Sequence, residues 1–228
     1  LDFGGPNATP IHGDGGPFPI RRLDRPRWAP FCTAFGEALE DRGLPFLEDY
    51  NGDFREGFAA APTNCVAGGR VSAAMGALTP QVRARANLHI LTGAHADRLV
   101  IQDRQASGAQ ILADGVPRTI LARETVLCCG AIQSPALLLR SGIGPAAQLR
   151  ALGIAVVRDL PGVGANLLNH PYILLATYLK RDAAQPRDNP WFLQNWARYS
   201  SRHPGCVEND MHLLPLNRTA WHALGRRV

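Results

Sequence analysis

The chain has 228 residues, 46% hydrophobic and 19% charged, with a formal net charge of +5; this balance excludes whole-chain disorder, and no apolar run reaches the roughly 18 residues of a membrane span. Its 23 glycines and 18 prolines exceed the roughly 12% these residues make up in average proteins, which argues against a compact helical bundle. Lys180 is the only lysine among 24 basic residues, and the arginines are scattered without a stripe or patch, so nucleic-acid binding is not expected.

Residues 1–30 are rich in Gly, Pro and Arg, with one strand-like patch, Pro17 to Ile20, after the turn-forming His12 to Gly16. From Pro30 to Arg42, Phe31, Phe35, Ala38 and Leu39 recur at helical spacing, and Gly43 is placed to stop the helix. Residues 44–70 read as irregular, around the turn cluster Asp49 to Asp53, and 57–69 shows no periodicity. A second helix is predicted at 72–78, opened by Ser72 and closed before Pro80.

The texture from Asn87 onward is α/β. Leu88 to Leu91 predicts a short strand. Asp97 to Gln102 and Ala109 to Leu112 predict a β-meander, with Ser107-Gly108 and Asp114-Gly115 as turns. The apolar run Thr125-Val126-Leu127-Cys128-Cys129 reads as a strand buried on both faces. Gly130-Ala131 turns it, and Ser134-Pro135 opens a Leu-rich helix that ends at Ser141-Gly142. A further helix is expected over Ala146 to Leu152 with Gly153 as its stop, then a strand over Ile154 to Val157. Residues 182–190 form a polar loop, and Trp191, Phe192 and Trp196 begin an aromatic helical stretch.

Cys32, Cys65, Cys128, Cys129 and Cys206 are odd in number and irregular in spacing, which fits a reducing compartment and hence a cytoplasmic setting. His203, Cys206, His212 and His222 match no zinc-ligand pattern, so no metal is expected. The strand–glycine–helix unit at 125–144 is the most informative stretch. A tight turn there leaves helix N-terminal amides aimed at one spot, suited to a phosphate, a ribose or a nucleotide edge. On physical grounds alone it is first an ordinary α/β crossover and second such a cradle.

Gly130-Ala131-Ile132-Gln133-Ser134-Pro135-Ala136-Leu137-Leu138-Leu139-Arg140-Ser141-Gly142-Ile143-Gly144 closely resembles a signature of the glucose–methanol–choline (GMC) flavin oxidoreductases. Other stretches are similar to the same family in the same order. They are His12-Gly13 to Gly16-Pro17; Arg70-Val71-Ser72-Ala73-Ala74 with Leu78-Thr79-Pro80 and Arg85-Ala86-Asn87-Leu88; and Leu160-Pro161-Gly162-Val163-Gly164-Ala165-Asn166-Leu167 with His170-Pro171. Trp221-His222 with Leu224-Gly225-Arg226 resembles a motif of bacterial members.

The resemblance implies FAD, a small-molecule alcohol as substrate, and hydride transfer to the flavin while a histidine takes the hydroxyl proton. It implies an α/β fold: a partial FAD/NAD(P)-binding-like domain at 72–170, flanked by segments of an α+β substrate-binding domain with an antiparallel sheet at 1–71 and 171–228. Ala96, after Thr92 to His95, stands where the family presents backbone to the adenine. Cys129, Gly130 and Ala131 stand beside the adenosine, with Cys128-Cys129 replacing the usual Ser/Ala pair. Asn169 replaces a common Asp, in a role taken as structural.

No G-x-G-x-x-G occurs in the sequence, and Gly162-x-Gly164-x-x-Leu167 lacks the third glycine and meets Pro171 too soon for a helix. The catalytic histidine is expected beyond Val228, so His170, His212 and His222 are expected to be hydrogen-bonded structural residues. Beginning at Leu1-Asp2-Phe3 without Met, the chain is expected to be the central piece of a longer flavoprotein and inactive by itself. The alternative is a non-catalytic remnant serving as a binding or assembly module. Trp191, Phe192 and Trp196 are expected in the core rather than on a ligand; the identity of the alcohol and the oligomeric state are not legible.

Overall fold

The computed structural model describes residues 12, 18–66, 69–185, 189 and 191–216. The expected motifs at Gly13 to Pro17 and Trp221 to Arg226 lie outside the described residues. In chain order, after a single 3-10 turn at Arg25–Arg27, come α1 (Pro30–Glu40), β1 (Gly57–Ala60), β2 (Cys65–Val66), β3 (Gly69–Arg70), α2 (Ala73–Ala77) and α3 (Pro80–Arg83). They continue with β4 (Ala94–Gln102), β5 (Gln105–Ala113), β6 (Val116–Leu121), α4 (Gly130–Arg140) and β7 (Ile143–Gly144). The last are α5 (Ala146–Ala151), β8 (Arg158–Asp159), β9 (Asn195–Tyr199) and β10 (Met211–Leu213). The fold is α/β, and its described sheets are antiparallel apart from the β7–β8 pair. Two compact units divide it, one from the described residues up to Leu88 and from Leu175 on, the other His89–Leu174.

In the first unit α1 starts at Pro30, whose missing N–H costs nothing in the first turn, and Gly43 closes it at φ +81°. The Ala29 amide ahead of the helix is held by the Gln194 side chain at 2.6 Å. The apolar face of α1, with Cys32 and Leu39, packs on Trp28, Phe58, Ala60 and Ala197. Gly36 makes this approach possible: a Cβ there would sit 2.9 Å from the Phe58 ring. β1 was expected to be irregular but is a strand buried along its whole length. It pairs with β9 on one side, while on the other Leu47 donates to the Phe58 carbonyl and Phe58 to that of Pro45. Ala-rich sequence carries little β signal; two flanking segments supply it. The stretch at Trp196, expected to be helical, is strand β9, in the sheet order β1–β9–β10. Trp191 and Trp196 are half-buried against the core and Phe192 is exposed.

α2 begins as its sequence predicts, with the Ser72 hydroxyl accepting from the Met75 amide. Thr79 does the same for α3, a helix the sequence reading missed.

In the second unit β4, β5 and β6 form an antiparallel meander. The first turn is at Asp103-Arg104, both at positive φ, and the second at Asp114-Gly115, also both positive. This is the two-residue hairpin geometry whose twist matches the strands. Ser107-Gly108, expected as a turn, lies instead inside β5, where Ser107 is an extra residue opposite the Val100–Ile101 step of β4. Leu88 to Leu91 is not a strand, and Ile90 and Leu91 are exposed. Ile154 to Val157 is not a strand either; its pairing is displaced to β8, parallel to β7.

Candidate functional site

The strand–glycine–helix unit takes a different form from the one its sequence suggests. Thr125 to Cys129 is irregular, and Val126, Cys128 and Cys129 are exposed. A continuous apolar run becomes a buried strand only when neighbouring strands flank it, and none does so among the described residues. α4 starts at Gly130 rather than at Ser134-Pro135, leaving Pro135 inside the helix. Ser134 reaches back over that first turn, its hydroxyl accepting from the Cys129 amide at 3.0 Å. Gly130 has φ +83° and open space where a side chain would stand. Gly130 and Ala131 are exposed, and as first-turn residues their amides have no intrahelical acceptor. The result is a helix N-terminus whose first residue carries no side chain.

The other end of α4 is tied to β4. The Arg140 guanidinium donates through Nε to the Asp97 carbonyl at 2.8 Å and through Nη2 to the Ala96 carbonyl at 3.3 Å. The buried Ser141 hydroxyl accepts from the Leu99 amide at 2.9 Å and donates to the Leu137 carbonyl at 2.6 Å. Ala96, paired with Ile111, lies next to a bulge in which Asp97 has no residue opposite it.

The glycines after α4 are there for close approach. A Cβ on Gly142, itself at φ +80°, would come within 2.4 Å of the Ala155 carbonyl oxygen, and one on Gly144 within 2.4 Å of the Leu139 side chain. β7 and β8 meet there, and the Asp159 carboxylate accepts from the Ala146 amide at the start of α5. The Leu160 to Gly164 turn follows, with Gly164 close to Leu139 and Pro135. No helix follows it: residues 165–180 carry neither helix nor strand.

The first unit holds a cluster that sequence reading missed. Buried Arg198 donates to the Tyr50, Asp53 and Arg55 carbonyls and lies 4.2 Å from the centre of the Tyr50 ring. The Tyr50 hydroxyl meets His212 Nε2 at 3.2 Å, and Trp196 lies beside both rings. Burial raises the Tyr50 pKa against the opposing pull of Arg198; burial first, then Arg198, lowers that of His212. Arg55 holds the Asp53 carboxyl at about 2. Asp49, buried, bonds His12 at 2.7 Å and Arg22 at 2.9 Å. Only the alternation of β9 could have revealed the Trp196–Arg198 placement.

His170 is exposed, its backbone amide bonding the Asn169 side chain, and His222 lies outside the described residues. Among the described residues no group of three His, Cys, Asp or Glu side chains gathers as a metal site.

The profile of the GMC oxidoreductases matches residues 20–172. The chain belongs to the GMC oxidoreductase family. Within it, the chain is 42% identical over 174 residues to a 5-(hydroxymethyl)furfural oxidase of Methylovorus sp., covering 76% of this chain and 33% of that protein. It is 39% identical over 183 residues to an oxygen-dependent choline dehydrogenase of Burkholderia multivorans, covering 80% and 31%. The chain thus spans about a third of the length of these GMC relatives. Among solved structures it resembles pyridoxine 4-oxidase from Mesorbium loti, with TM-score 0.63 and 42% identity over 66% of this chain and 30% of that one. It also resembles an FAD-dependent oxidoreductase from Chaetomium thermophilum, with TM-score 0.59 and 28% identity over 67% and 26%.

Proposed function

We propose that this chain carries the central portion of an FAD-dependent GMC oxidoreductase that converts alcohols to carbonyl compounds. The observation that carries the reading is the exposed N-terminus of α4 at Gly130-Ala131, in a chain that is 42% identical to pyridoxine 4-oxidase over the shared fold. Exposed amides with no side chain at Gly130 fit the edge of an adenosine, and the Ala96 backbone would form a second wall. When bound, FAD supplies the hydride acceptor. This chain's part is to seat the adenosine; Cys129 contributes small apolar surface, because its own amide is engaged by Ser134. Residues 72–170 are the flavin-side segment in this reading, and 1–71 and 171–228 belong to the substrate-side sheet.

The pyrophosphate fingerprint and the proton-accepting histidine are assigned to polypeptide other than these 228 residues. The chain alone is therefore expected to bind FAD too weakly to retain it through purification and to turn over no alcohol. Purification with a stoichiometric flavin absorbance band overturns that expectation. Reading the genomic frame upstream is the complementary test: an in-frame G-x-G-x-x-G supports the oxidoreductase reading, and its absence overturns it.

A further inference from the structure

We propose that Arg140 and Ser141 are positioning residues that lock the β4 bulge and thereby hold the Ala96 backbone in a fixed place relative to the N-terminus of α4. The inference rests on the adenosine reading above. A β-bulge leaves its extra residue outside the ladder and re-aims the strand beyond it. Here the extra residue is Asp97, and its carbonyl is taken by Arg140 Nε at 2.8 Å. The same guanidinium holds the Ala96 carbonyl at 3.3 Å. Just past the bulge, the Leu99 amide donates to Ser141 Oγ at 2.9 Å. Two consecutive residues at the end of one helix thus grip the strand on both sides of its irregularity.

The direction of the grip matters. Leu99 lies beside Ser141, at the helix end. Ala96 and Asp97 meet the Arg140 side chain, whose Cα–Cβ bond tilts toward the helix N-terminus. The early end of β4 therefore runs toward the end of α4 that carries Gly130 and Ala131. An eleven-residue helix is a stiff spacer, so fixing its last turn to β4 fixes the distance between the two proposed adenosine walls. The planar fork of Arg serves two carbonyls at once, which a lysine ammonium does less well. Ser141 adds a buried hydroxyl that is satisfied as donor and acceptor.

The test uses the whole chain, with AMP at millimolar concentration as the probe and backbone amide NMR as the readout. In wild type, AMP is expected to shift the Ala96 and Ala131 amides together. In Arg140→Ala, the Ala131 shift is expected to persist while the Ala96 shift disappears and affinity drops about ten-fold, because one of the two walls no longer engages the ligand. Arg140→Lys keeps one carbonyl contact and is expected to restore the Ala96 shift in part. Ser141→Ala is expected to speed exchange of the Leu99 amide without moving Ala131. AMP binding that is equal in wild type and Arg140→Ala overturns the positioning role alone, and so does a Lys variant indistinguishable from Ala. An AMP titration that leaves wild type unmoved overturns the adenosine reading, and the positioning role with it. Should Arg140→Ala lose its dispersed spectrum, the comparison of Arg140→Lys with wild type decides by the same readout.

Discussion

The two units hold themselves together by different means. The first buries Trp28, Phe58 and Leu39 around α1 and β1 and fixes its sheet with Arg198 and Asn195, whose side-chain amide donates to the Cys32 carbonyl at 2.8 Å. The second has few buried apolar side chains, chiefly Ile111, Leu137 and Leu149, and leans on the polar grip of Arg140 and Ser141 and on close glycine contacts. Its run from Leu167 to Leu174 leaves Leu168, Tyr172 and Ile173 more than four-fifths exposed. A unit with a dense core tolerates the loss of a surface bond; one organised by a few directed contacts does not.

The largest expected effect breaks the first unit alone. Phe58→Ala removes a ring with no exposed surface and is expected to cost about 3–5 kcal/mol. Amide exchange should then accelerate through β9 while β5 stays protected. Equal acceleration in both would mean the units unfold as one, and the contrast drawn above would fail. Next comes Gly142→Ala in the second unit, where positive φ and a backbone oxygen at 2.4 Å predict a loss of about 1–3 kcal/mol. Here denaturant midpoints should fall for α4 and α5 probes, with the first unit unmoved.

A smaller effect follows pH. Because His212 has its pKa lowered from 6.5 by burial and Arg198, the folded first unit prefers the neutral ring. The stability it supports is full above pH 6.5 and is lost as pH falls below it. His212→Gln should flatten the acid side of the first unit's melting-temperature profile, and an unchanged profile would remove His212 from this account. The smallest effect is Tyr178→Ser, at a residue 98% exposed, expected within about 0.5 kcal/mol of wild type. A larger loss in chemical denaturation would show that this segment is packed after all.

Sequence reading worked where the signal is local. Pro30 and Gly43 bound α1, Ser72 caps α2, Gly153 ends α5, and Asp114-Gly115 turns the meander. Each depends on the conformational preference of one or two residues. It failed where structure depends on distant partners. β1 is a strand because Pro45 to Leu47 and β9 flank it, and nothing in Gly57 to Ala60 announces them. Thr125 to Cys129 shows the reverse: a strong strand pattern with no flanking strand among the described residues stays irregular. Trp191, Phe192 and Trp196 fit helical spacing by coincidence, and the pairing of β9 with β1 and β10 decides otherwise. Around the candidate site, the helix and its end at Ser141-Gly142 were legible, while its start at Gly130 and the lack of a strand before it were not. The Arg140–Asp97 contact was not, because a bulge leaves no sequence pattern of its own.

The two hairpin loops of the meander have a consequence in time. Asp103-Arg104 and Asp114-Gly115 join strands that are immediate neighbours in sequence, so each pairing closes a loop of minimal length. Loop-closure entropy is small for such pairings, and single hairpins of this kind form in about 1–10 μs. β4–β6 is therefore expected to assemble well before β1 finds β9 across more than a hundred residues. A nascent chain would carry a preformed β4 by the time α4 is made, and Arg140 would dock onto a bulge already in place.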